Sequence, residues 1–123
     1  MPIPFGDNLD IGLHISGNGG SKPGWCLVST YGHNARVKSW MDQSLFMVQL
    51  KAKPVVWRTA QTFQRQDAST DYFGEAFAAI NRRASRIWWG ANWNAAGAEN
   101  RRYETYVACL PTDWEARVLA LAP

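Results

Sequence analysis

Arg82-Arg83-Ala84-Ser85-Arg86-Ile87-Trp88-Trp89-Gly90-Ala91-Asn92-Trp93 places three arginines and three tryptophans within twelve residues of a 123-residue chain. Taken together with the residues before it, this stretch reads as the end of a helix. Ser69-Thr70-Asp71 offers three N-cap candidates, and Glu75 follows within the first turns, where a negative charge is favoured. A step of roughly 100° per residue from Phe73 gathers Ala76, Phe77, Ile80, Ala84, Ile87 and Trp88 onto one stripe about 120° wide. Such a stripe needs an apolar partner, and Gly90 and Asn92 loosen or end the helix. The expectation is one main helix near residues 70–89, with Phe77 and Ile80 at the centre of its buried face.

The partner is expected from the N-terminal half. Ile11, Leu13 and Ile15 alternate with Asp10, Gly12, His14 and Ser16, the pattern of a half-buried strand with His14 on its polar side. Gly17 to Gly24 forms a long, flexible connection, and Trp25 to Tyr31 reads as a second strand. Gly32-His33-Asn34 marks a turn. Leu45 to Ala52 and Val55 to Phe63 form a second hairpin about Lys53-Pro54, since proline fits only a turn or an edge. Arg102 to Leu110 suits either a strand or a helical face. Thr112-Asp113-Trp114-Glu115 matches a capping box and favours a short terminal helix. The fold class is therefore α+β: one domain over residues 1–123, a small antiparallel sheet packed by one main helix, and a short C-terminal element.

Composition bounds the function. The chain is 46% hydrophobic and 19% charged, which suits a globular domain, and its formal net charge is +3. The first fifty residues balance three bases against three acids, whereas residues 51–123 carry ten bases against seven acids. Two windows concentrate the excess. Lys51, Lys53, Arg58 and Arg65 have no acid between them, and five arginines from Arg82 to Arg102 are opposed only by Glu99. Such patches attract anions, and they also serve as ordinary solubilising faces. The N-terminus has no signal-peptide pattern, and no apolar run reaches the ~20 residues that span a bilayer. A cytoplasmic protein that does not engage membranes is expected, with Cys26 and Cys109 reduced and buried in their apolar contexts.

On the helical reading, Trp88 belongs to the core, while Trp89 points to the opposite face with Arg82 and Arg86. Tryptophan and arginine dominate the energetics of protein contacts, and they also stack on bases and bind phosphates. The expected binding residues are Trp89, Trp93, Arg82, Arg86, Arg101 and Arg102. Other chemistry is poorly supported. Gly17 to Lys22 lacks the spacing of a phosphate-binding loop, and Pro23 stands where its helix should begin. His14, His33, Cys26 and Cys109 lack the close pairs of a zinc site, so neither metal nor cofactor is implied. Cys26 and His33 lie on opposite sides of a turn, which makes a poor nucleophile pair. The reading is a non-enzymatic binding protein that self-associates or takes a protein or anionic partner. A nucleic-acid or nucleotide binder is the first alternative, and a small enzyme of unnamed reaction the second.

Overall fold

The computed structural model describes residues 11–32, 39–64, 75–93 and 103–122. Seven strands and one short helix follow in the order β1 (Ile11–Ser16), β2 (Trp25–Gly32), β3 (Ser44–Gln49), β4 (Val56–Gln61), β5 (Ala79–Ile80), β6 (Arg86–Ala91), β7 (Glu104–Cys109) and α1 (Trp114–Ala120). The first four strands form an antiparallel sheet in the order β1-β2-β3-β4, and the other three form a second antiparallel sheet, β5-β6-β7. No helix among the described residues is long and apolar enough to cross a membrane.

The four strands expected in the N-terminal half are present, and β3 shows why that part was readable. Ser44-Leu45-Phe46-Met47-Val48 is buried at every position, because both faces of this inner strand are covered. Leu45 and Met47 face the core shared with the second sheet, beside Trp25, Leu27 and Trp57. Phe46 and Val48 face a separate cluster with Cys26, Val28 and Met41, flanked by Trp40 and Val56. The connection from Gly17 to Gly24 is anchored, for Ser21 N–H donates to the Arg82 carbonyl.

The main helix is corrected by the structure. Residues 70–74 of the expected span lie outside the described residues, and from Glu75 onward the chain is an extended segment, a tight turn and strand β6. Exposure along Arg86–Ala91 alternates strictly: Ile87, Trp89 and Ala91 are buried, while Arg86, Trp88 and Gly90 are more open. That is a period of two, whereas a helix repeats every 3.6 residues. Local bonding supports the turn. The Asn81 side-chain carbonyl accepts from the Ser85 and Arg86 amides at 2.8 and 3.1 Å, which leads the chain back as a hairpin. Phe77 and Ala84 have positive φ, 41° and 50°, which no right-handed helix contains. Of the expected stripe, Ala76, Ile80, Ala84 and Ile87 are buried, Trp88 is half-buried, Phe77 is exposed, and Phe73 lies outside the described residues.

The tail resolves as strand β7 followed by α1, with Asp113 as N-cap but without a side-chain capping bond. Instead of a capping box, Glu115 reaches the first sheet, where Trp25 Nε1–H donates to Oε1 at 2.8 Å and Lys22 Nζ lies 2.8 Å from Oε2. Cys26 is buried as expected, but Cys109 is exposed, because it ends the outer strand β7. β1 also departs from the expectation. Leu13 and Ile15 are exposed, while His14 turns toward the second sheet, its Nε2 2.6 Å from Glu75 Oε2.

Candidate functional site

A cleft of about 1160 Å³ runs along β4 and is walled by α1. Its cations come from three elements. Lys51 and Lys53 sit in the β3–β4 connection, Arg58 lies within β4, and Arg117 projects from α1. No aspartate or glutamate is among the described lining residues. The first three cations make no ion pair among the described residues. Arg58 donates to neutral partners, the Ser44 hydroxyl at 3.1 Å and the Gln61 side-chain oxygen. Arg117 is paired with Asp113 at 2.9 Å on an exposed face, and this pairing holds the Asp113 carboxyl below its ordinary pKa.

Packing fixes the walls. Val55 and Trp57 join the shared core, whereas Val56 and Arg58 alternate to the other face of β4, beside Trp40. Trp40 packs on Phe46 with centroids 5.2 Å apart. Ser39 and Asp42 hold its loop, where the Ser39 amide donates to Asp42 Oδ2 at 2.9 Å. On the opposite wall, α1 is pinned by Trp114, which is 1% exposed. Its indole N–H donates to the Ala84 carbonyl at 2.8 Å, its ring stacks on Trp57 at 5.4 Å, and Trp25 meets it edge-on at 5.0 Å. The same helix and its C-cap leave Leu119 and Leu121 exposed at the cleft, 40% and 86%. The site therefore combines an apolar, aromatic lining with three cations, Lys51, Lys53 and Arg58, that have no ion pair among the described residues. It suits an anion that also carries apolar groups.

The residues expected to form the site are distributed differently. Trp89 is buried, not exposed: it lies on the core face of β6, and its indole N–H donates to the Thr62 carbonyl at 3.1 Å. Arg86 is exposed on the opposite face of that strand, so the pairing of Trp89 with Arg86 expected from helical geometry does not occur. Arg82 is exposed in the β5–β6 turn, where it borders a shallow hollow with Asn18, Gly20 and Asn81. Trp93 is 57% exposed and stacks between Phe63 and Tyr106, at 4.4 and 5.2 Å; Tyr106 also contacts Trp89 at 5.9 Å. Arg101 and Arg102 lie outside the described residues. The cleft draws on the Lys51–Arg58 window visible in the sequence and adds Trp40, Trp57 and Arg117, which are not among the expected binding residues. No local signal marks them, because they converge only when α1 docks.

One further cluster has the appearance of chemistry. His14 is sandwiched between the rings of Tyr31 and Phe77, at 5.2 and 4.2 Å, while Glu75 holds Nε2. Both faces of the imidazole are occupied, and no hydroxyl or thiol hydrogen-bonds to it among the described residues, so the pair ties β1 to the segment before β5. Comparison with protein-family models, with curated proteins and with solved structures found no match for this chain.

Proposed function

We propose that this protein is a non-enzymatic binding module that holds an anionic partner in the cleft between β4 and α1. The carrying observation is the lining itself: Lys51, Lys53 and Arg58, without an ion pair among the described residues, beside Trp40 and Trp57 and facing Arg117 of α1. Titration of tryptophan fluorescence with dodecathymidylate and with poly-glutamate tests this. At least one anion should bind at low ionic strength and weaken as salt rises, because contacts with charged groups are screened and counterions compete. The double variant Lys51→Glu/Lys53→Glu should bind at least tenfold more weakly with an unchanged urea midpoint, since both lysines are exposed. Absence of binding by both anions, or equal binding by the variant, would refute the reading.

A second surface supports self-association. Trp93 and Phe63 are exposed and mutually stacked, and both are held at positive φ, 50° and 54°. For residues with a Cβ this conformation costs on the order of 1 kcal/mol or more, and such strain concentrates at functional surfaces. Light scattering at two concentrations, on the wild type and on Trp93→Ser, tests it. A mass that rises with concentration only in the wild type is the expected result, and a monomer in both would remove this surface from the proposal.

A further inference from the structure

We infer that the cleft takes an extended acidic peptide segment of a partner protein, added as a fifth strand to the free edge of β4. This rests on the anionic reading of the cleft and names its ligand class. β4 ends the sheet order β1-β2-β3-β4, so among the described residues one side of its backbone has no strand partner. The phase of the ladder says which groups are free. Gln49 N–H donates to the Val55 carbonyl at 2.9 Å, so that pair is hydrogen-bonded, and the pair Val48–Val56 beside it is not. The N–H and C=O of Val56, and by the same alternation those of Arg58, therefore point away from β3 along the cleft.

An edge of this kind is a template for another strand, and proteins commonly guard it with charge. Here the guard is of one sign. Lys51, Lys53 and Arg58 repel the same edge of a second copy, which disfavours homotypic pairing, and they attract a strand that carries Asp or Glu. The cleft wraps the edge on both faces: Val55, Trp57 and α1 on one side, Trp40, Val56 and Arg58 on the other. Side chains of an added strand alternate between two faces, and each face would meet a wall. Leu119 and Leu121 offer apolar contacts to one of the two sets.

Other occupants fit less well. A volume of about 1160 Å³ lies above the roughly 300–1,000 Å³ of most small-molecule pockets. Phosphates could accept from the lysines, but the outward carbonyls of Val56 and Arg58 require donors, which a phosphate backbone does not supply. A peptide backbone supplies donors and acceptors at the matching spacing.

The test starts from a display library of random dodecapeptides selected on the full chain, with the most enriched peptide synthesised and labelled with fluorescein. The expected peptide alternates acidic with apolar residues, and its anisotropy signal weakens at least tenfold with Lys51→Glu/Lys53→Glu. Val56→Pro should also weaken it at least tenfold and leave the fold intact, because the amide it removes faces away from β3. A copy of the peptide N-methylated at alternate residues probes the same bonds with the protein unaltered, and one of its two phases should lose binding. Amide shifts of ¹⁵N-labelled protein should change at Val56 and Arg58. If dodecathymidylate or poly-glutamate binds while the selected peptide is not acidic, or is indifferent to both N-methylated phases, strand addition is overturned and the anionic cleft stands. If no anion and no acidic peptide binds, both fail.

Discussion

Trp89 joins the two sheets at the scale of a single residue. Its ring contacts Tyr106 at 5.9 Å, its N–H is satisfied by the Thr62 carbonyl, and it is 8% exposed. Trp88, one position earlier, lies half-exposed on the other face, opposite Val107 of β7. Truncation to alanine should therefore separate them. Trp89→Ala should cost about 3–5 kcal/mol, from lost burial, the cavity left behind and an unpaired carbonyl. Trp88→Ala should cost about 1–2 kcal/mol. Urea denaturation of both variants checks this, and a larger loss for Trp88 would contradict the inward face of β6. The cysteines separate in the same way. Burial pushes the Cys26 thiol pKa up, so little thiolate forms at neutral pH, whereas Cys109 is exposed. A thiol reagent should label one site quickly in the native protein and a second only on unfolding, with peptide mapping assigning them to Cys109 and Cys26.

At the scale of elements, α1 depends on contacts outside itself. Seven residues are too few for a helix to be stable alone in water. Trp114 holds the helix to the core, and Glu115 ties it to β2 through Trp25 and to the preceding loop through Lys22. The hydrogen bond from Lys22 lowers the Glu115 pKa most; the bond from Trp25 adds to it against desolvation. A carboxyl with a folded pKa below its unfolded value of about 4.3 stabilises the fold above that value. The contribution is lost as pH falls through the folded pKa. Glu115→Gln should accordingly lower the urea midpoint at pH 7 and change it less than wild type between pH 7 and pH 3. An acid limb of equal steepness in the two proteins would assign the acid sensitivity to other carboxyls. α1 also forms one wall of the cleft, so acid that loosens it should weaken ligand binding over the same range.

At the scale of the whole molecule, one core joins both sheets and the helix. Trp25, Leu27, Leu45 and Met47 from the first sheet pack with Ile80, Ile87 and Trp89 from the second and with Trp114 and Val118 of α1. Neither sheet can leave without exposing the face of the other, so unfolding should be a single transition. Far-UV circular dichroism and tryptophan fluorescence should give coincident urea curves; separated midpoints would mean that the sheets open independently. The cleft is a property of this scale as well. Lys51, Lys53 and Arg58 share it with Arg117 because the core places α1 beside β4.

The sequence by itself determined the first four strands and the terminal helix. In those segments the local pattern and the tertiary environment agree: β3 is apolar on both faces because it is buried on both, and Pro54 lies outside the ladder it could not join. It also carried the basic window from Lys51 to Arg58. The tertiary structure alone decided Arg86–Ala91. Over so short a span Ile87 and Trp88 satisfy a helical stripe as readily as Ile87 and Trp89 satisfy a strand alternation, and pairing with β5 and β7 selects the period of two. That choice put Trp89 inside and Arg86 outside. The cleft was likewise beyond local reading, because its charges and its tryptophans come from elements as far apart in the chain as Trp40 and Arg117. Burial, not local propensity, set these outcomes, since an apolar side chain is stabilised wherever packing removes it from water and sequence spacing does not reveal that place.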